Sequence, residues 1–312
     1  MLRTSILFFL LVFACVAVLR AQDSSPVSTK GVEDLIVDLT GEDRDAADAA
    51  RYELGKRGKA AIPALIVLAQ DGKRENRVRS ISVLGLLKEE TARPLLIELL
   101  NDKDDWIRGN AAWSLSQMGG EDAKIALVQY LGKCVEQDTR ELNRATEALS
   151  ELPDERAVPF LLKIIDKKSK TFDGPSYLEY PVAALGKLKT SAAAVPIAKL
   201  LDPSVSYDNS RDYFYLQALI AINSSESAPY LVRYLIGLEK RLKSNEWFLG
   251  EDDSSYYSSI GAGNRQRESD RHNFGLAVKC LESITGIKSS GKTPVEILHF
   301  WKENPDISPT SP

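Results

Sequence analysis

Gly286-Ile287-Lys288-Ser289-Ser290-Gly291-Lys292-Thr293 spells the G-x-x-x-x-G-K-[ST] loop, in which backbone amides cradle phosphates and the lysine reaches the outer ones. That chemistry needs an apolar strand to deliver the loop, a helix running on from Lys-Thr and a second strand presenting a carboxylate to magnesium. Here a helical pattern, Leu276 to Ile284, precedes the loop, and Pro294 opens another helix after it. The segment is therefore read as a connection between two helices, and no nucleotide is expected. Gly261-Ala262-Gly263 begins a dinucleotide fingerprint, but residue 266 is Gln and no strand precedes it, so it is read as a loop.

The remaining reactive residue types are sparse. Only two histidines occur, His272 and His299, neither beside a cysteine or a second histidine at a metal-ligand spacing, so no zinc site is expected. Glu251-Asp252-Asp253 lacks the calcium-loop spacing with its central glycine and distal glutamate, and reads as a solvated turn. Asp104-Asp105 and Asp154-Glu155 read as helix starts, no serine stands in G-x-S-x-G, and Cys134 and Cys280 have no partnering histidine. The expectation from this inventory is that the chain is not an enzyme and carries no cofactor.

The elements that would position any site are easier to read. Apolar helical segments close on Leu54-Gly55, Leu84-Gly85, Leu115, Leu149, Leu185-Gly186 and Leu219, and between them proline opens leucine-rich runs at Pro63, Pro94, Pro159, Pro196 and Pro229. Ile125 takes the proline place in the third repeat. A recurrence of 30 to 40 residues marks stacked helix pairs, none of which can bury its apolar face alone. Seven antiparallel pairs are predicted, at about 44–70, 75–100, 104–133, 139–166, 177–201, 211–243 and 271–303, with a half-repeat from Val32 to Thr40 before them. In the third pair, Trp106, Ile107, Ala111, Ala112 and Leu115 are assigned to one buried stripe, Asp102 to Asp105 supply the helix start, and Gly119-Gly120 the stop.

Asp105-Trp106-Ile107-Arg108-Gly109-Asn110-Ala111-Ala112-Trp113-Ser114-Leu115 resembles a HEAT repeat, and the spacing near 31 residues is similar to the short variety associated with phycobilisome lyases and found in exported bacterial proteins. The resemblance covers residues 32–303. It implies an all-α fold, a right-handed α-solenoid of the HEAT/armadillo type, and it says little of function, because such arrays serve many roles. It also implies that second helices line a concave groove, which would place Gln129, Lys163, Lys199 and Arg233 there, with Gln70 and Lys133.

The connections lengthen in the second half of the chain. Those at 167–177, 202–212 and 244–271 carry Phe172, Tyr177, Tyr207, Trp247, Phe248, Tyr256 and Tyr257 among small polar residues, and the last adds Arg265 and Arg267. Aromatics set among Ser, Gly and Asn suit adaptable recognition, since Tyr and Trp give large contact at low entropy cost. These residues are predicted to form a binding edge for a protein or peptide. Insertions simply tolerated at the array's edge are the plainer reading.

Residues 1–21 combine Arg3, an apolar stretch from Ile6 to Leu19 and Ala21 at the cut, the pattern of a secretory signal. The stretch is shorter than the roughly 20 apolar residues of a membrane span, and Phe13 is bulky for a lipid attachment at Cys15; an uncleaved anchor and a lipoprotein are thus disfavoured. Export to the periplasm or beyond is expected, with 22–30 and 304–312 as Ser/Pro-rich disordered segments and 31–303 as the repeat domain interrupted at 244–271. The net charge of −4, about −6 after loss of the leader, gives no clustered basic surface for nucleic acid. The predicted function is a non-catalytic extracytoplasmic scaffold. An enzyme-accessory or chromophore-lyase-like HEAT subunit is the alternative, and a purely structural envelope protein a third.

Overall fold

The computed structural model describes residues 30–170, 178–202, 210–244, 256–286, 299–300 and 303. Among them the regular structure is helical, and the chain is all-α. It divides into two compact units, Met1–Leu95 and Leu96–Pro312, the boundary falling inside a helix.

In the first unit, helices α1 (Val32–Thr40), α2 (Arg44–Arg57), α3 (Ile62–Ala69) and α4 (Arg74–Leu87) bury Leu35, Leu39, Leu54, Leu65, Ile81 and Leu84 against one another. Asp43 starts α2 by accepting the amides of Asp45 and Ala46, and such a cap contributes about 1 kcal/mol. Arg79 donates from α4 to the Leu39 and Gly41 carbonyls, at 2.5 and 2.8 Å, and closes the turn after α1.

The helix after α4 is α5 (Arg93–Leu99). The second unit continues with α6 (Asp105–Met118), α7 (Glu121–Gln137), α8 (Leu142–Glu151), α9 (Val158–Lys168), α10 (Glu179–Leu188), α11 (Ala194–Ala198), α12 (Ser210–Ile222), α13 (Ala228–Ser244) and α14 (Tyr256–Thr285). Two rows result. The first helices α6, α8, α10, α12 and α14 pack side by side in chain order, and the second helices α7, α9, α11 and α13 form a parallel layer. Leu115, Leu149, Leu185 and Leu219, read as the repeating core position, are all fully buried.

The link within most pairs is a short 3-10 turn whose last residue is wholly buried: Ala61, Ala92, Ala157, Ala193 and Ser227. A small residue there lets the chain reverse against the core before proline enters the first turn of the second helix, where its missing amide leaves nothing unpaired. The Leu-Gly pairs, expected to end their helices, lie inside them. The actual stops are the left-handed Lys88 and Lys189 and the positive-φ Gly58. Gly186 has another reason: a Cβ there would sit 3.0 Å from Cα and Cβ of Ala218, so its bareness lets α10 and α12 approach.

Two further expectations are corrected. Trp106 was assigned to the buried stripe, yet it is 56% exposed. It stands nine residues from Leu115, a half-turn out of phase at about 100° per residue, so it faces the opposite side of α6. The connection expected over 244–271 is much shorter, because the chain is helical from Tyr256 onward. Phe274, Ala277, Val278 and Leu281 anchor α14 on its neighbours, and no proline interrupts the turns before them, so the helix extends through Gly261-Ala262-Gly263 despite about 1 kcal/mol of propensity lost per glycine.

Candidate functional site

The four second-helix candidates are all solvent-facing. Gln129 lies on α7, Lys163 on α9, Lys199 at the end of α11 and Arg233 on α13, each exposed. Lys199 holds its ammonium 5.9 Å from the Tyr230 ring centroid, and Lys133 donates to Asn101 at 2.6 Å. Of the loop-edge candidates, Tyr177, Tyr207, Trp247 and Phe248 lie outside the described residues. Tyr256, Tyr257, Arg265 and Arg267 fall on the first half of α14, where only the backbone is described. Gly286 closes α14 at φ 71°, its amide donating to the Glu282 carbonyl; the rest of the phosphate-loop lookalike lies outside the described residues. Cys134 and Cys280 are buried free thiols, and burial pushes Cys280 up to about 12.

A concavity among the described residues lies elsewhere, between the first turns of α6 and α8. It measures about 150 Å³ and is lined by Asp105, Trp106, Gly109 and Asn110 from α6 and by Arg140, Glu141 and Arg144 from the start of α8. Three local features build it. A Cβ on Gly109 would lie 3.3 Å from Cγ of Arg144, so the glycine leaves room for that side chain's stem to lie along α6. Arg108 pairs with the buried Glu141 and donates to the Asp102 carbonyl at 2.6 Å, which ties the two helix starts together. Burial works against the charge on Arg108, and the hydrogen bond and charge of Glu141 more than restore it. Asp104 and Asp105 accept the Trp106 amide at 2.9 Å each, fixing the turn that carries the indole.

Charges around this cleft are unevenly spent. Glu141 is taken by Arg108, and Arg144 pairs with Glu147 at 3.0 Å one turn along α8. Arg140 is exposed and has no ion-pair or hydrogen-bond partner among the described residues. Two turns beyond Trp106 on the same face, Trp113 is 38% exposed. The first-helix row thus presents two indoles and a free guanidinium within two neighbouring helices.

The same row carries a second aromatic group further on. Tyr213 of α12 meets Phe214 edge-on at 5.6 Å and stacks on His272 of α14 at 5.7 Å. Beneath it, Tyr234 of α13 donates to Asp212 at 2.5 Å, and Arg241 of α13 holds Asp270 of α14 through two bonds of 2.6 and 2.8 Å. Burial pushes Asp212 up to about 6, against the pull of the Tyr234 hydrogen bond and of Arg241. Among the described residues no group of three or more His, Cys, Asp or Glu is placed to hold a metal ion. No helix there is long and apolar enough to cross a membrane.

Sequence reasoning missed the cleft, although its signal was available. Trp106, Asn110 and Trp113 recur at spacings of four and three, a face of their own, and Arg140 and Arg144 repeat the first two places one repeat later.

Residues 62–145, which include every residue of the cleft, match the family model for HEAT repeats. An uncharacterized phycocyanin operon protein Y of Pseudanabaena tenuis is 31% identical over 93 residues, 28% of this chain and 22% of that protein. An epoxyqueuosine reductase of Listeria monocytogenes is 40% identical over 76 residues, 24% of this chain and 20% of that protein. The chain thus spans about a fifth of the length of these curated relatives. Among solved structures, the complex of CpcE and CpcF of phycocyanin lyase from Nostoc sp. is 20% identical with a TM-score of 0.43, covering 78% of this chain and 97% of that one. An engineered protein is 17% identical with a TM-score of 0.46, covering 88% and 78%. Identities this low concern the fold alone.

The expectation that the chain is not an enzyme does not stand, since its sequence relatives include a phycocyanin operon protein and an epoxyqueuosine reductase. That expectation rested on the lack of a compact catalytic motif. In a repeat array, reacting groups can come from residues far apart in sequence or from a second subunit, so a missing motif does not argue against catalysis.

Proposed function

We propose that this HEAT-repeat protein is a subunit of the enzyme-accessory or chromophore-lyase-like kind, whose repeats hold a protein partner for the chemistry. The match of 93 residues to a phycocyanin operon protein supports the class. The observation that carries the reading is the outward first-helix face of α6 and α8. There Trp106 and Trp113 stand in solvent beside an unpaired arginine, within the matched repeats. Exposed indoles over a formed cleft are what binding surfaces retain, because burying them on a partner returns apolar area that folding leaves in water.

The loop-edge residues belong to this reading as secondary contacts; on it the second-helix row, with Gln129, Lys163, Lys199 and Arg233, is a solvated face. Export is also part of it, on the strength of residues 1–21 alone. The test is co-purification of the tagged full-length chain from cell fractions of its source after mild crosslinking, with visible absorbance recorded on the product. A stoichiometric protein partner, whose activity falls when the chain is deleted, supports the proposal. Recovery of a colourless chain without a partner, and no loss of activity on deletion, overturns it.

A further inference from the structure

Resting on the reading of a partner-holding subunit, we propose that the cleft between α6 and α8 receives an acidic side chain of the protein partner. Arg140 pairs with its carboxylate, and the Trp106 indole covers its aliphatic stem. Three observations converge. The cleft, at about 150 Å³, has the size of one side chain rather than of a cofactor. Arg108 and Arg144 already face Glu141 and Glu147, whereas among the described residues the Arg140 guanidinium is unspent; the Asp105 carboxylate, which lacks an ion-pair partner among them, interacts with the Arg108 charge. The Asp105 carboxylate is engaged by the Trp106 amide at 2.9 Å, which holds it at the helix start.

The geometry selects a carboxylate over other occupants. A planar guanidinium fork matches a carboxylate with two parallel bonds, and Asn110 on the facing wall offers polar contact, although its amide also donates to the Trp106 carbonyl at 2.7 Å. Trp106, at 56% exposure, gives an apolar lid for the methylene groups of a glutamate. A neutral side chain of the same shape would leave Arg140 desolvated and unpaired, and that penalty is the source of discrimination.

Fluorine NMR of the full chain labelled with 5-fluorotryptophan tests this, because the four tryptophans give few signals and Trp106→Phe assigns the relevant one. The probes are acetylglutamate N-methylamide and its glutamine counterpart. The Trp106 signal is expected to shift saturably with the glutamate probe, and the affinity to fall about tenfold or more with the glutamine probe or in Arg140→Gln. Lys163→Gln, on the other row, should leave the response unchanged. Equal responses to the two probes, an unaltered response in Arg140→Gln, or an unmoved Trp106 signal overturns the assignment. A partner protein captured equally well by Arg140→Gln also overturns it, while leaving the accessory role in place. A glutamate response in a chain that captures no partner sinks the accessory role and, with it, the commitment to a protein residue.

Discussion

The two helix rows of the second unit share one core and differ on their outer faces. The second helices show solvent long, flexible polar chains, Gln129, Lys163 and Arg233, whose ordering on a partner would each sacrifice rotamer freedom. The first helices show rigid rings: Trp106, Trp113, Tyr213 and Phe214, with a formed cleft beside the first of them. Solvent-facing rings serve folding little, and they lose little entropy on contact. The difference teaches that, in a repeat, the inward positions report stability, and the outward ones report use.

The comparison can be broken first at its foundations. Arg241→Met would remove the two bonds that hold the wholly inaccessible Asp270 carboxylate between α13 and α14, and is expected to cost about 3–5 kcal/mol in urea unfolding. Leu185→Ala, in the buried seam between α10 and its neighbours, should cost about 2–5 kcal/mol by the same measurement. If both rows are held by that core, neither variant discriminates between their outer faces, and both lower partner binding only as the folded fraction falls.

Trp106→Ala sharpens the contrast. Stability should change by no more than about 0.5 kcal/mol, as for an exposed site, while partner affinity measured by calorimetry falls by about 2 kcal/mol, the scale of an aromatic anchor. Lys163→Ala is expected to change both by less than about 0.5 kcal/mol.

A further expected effect is one of pH. Asp212 is pushed in the folded chain to about 6, above its ordinary 3.8, so burial disfavours its ionised form. Its favourable contribution is complete below the unfolded value and is lost as pH rises through about 6. Unfolding free energy should therefore be about 1.5 kcal/mol higher at pH 5 than at pH 7.5 from this group, a difference that Asp212→Asn removes. Retention of the full difference in that variant would place its origin elsewhere.

Much of the fold was legible because its determinants are local. Leu115, Leu149, Leu185 and Leu219 recur at the repeat period and are buried, and Pro63 and Pro159 open second helices. Trp106 was misplaced because it adjoins Ile107, and adjacency concealed a half-turn of phase. The Leu-Gly pairs misled because glycine serves two ends: Gly119 and Gly286 stop helices, whereas Gly186 permits close approach. The start of α14 was hidden by its glycines and serines, whose propensity is overridden by packing near Phe274. Nor does composition announce that Asp212 and Asp270 are buried, since their partners Tyr234 and Arg241 stand 22 and 29 residues away. The cleft is a tertiary product of the same kind: Arg140 and Arg144 meet Trp106 only once α6 and α8 are packed.

Which row receives the partner is settled most directly by photocrosslinking from two positions in the full chain. A benzophenone amino acid replaces Trp113, beside the cleft on the first-helix face, or Lys163, on the second-helix face, in cells that express the partner. The account predicts a discrete crosslinked product from position 113 and none above background from position 163. A product from 163 with none from 113 would contradict it.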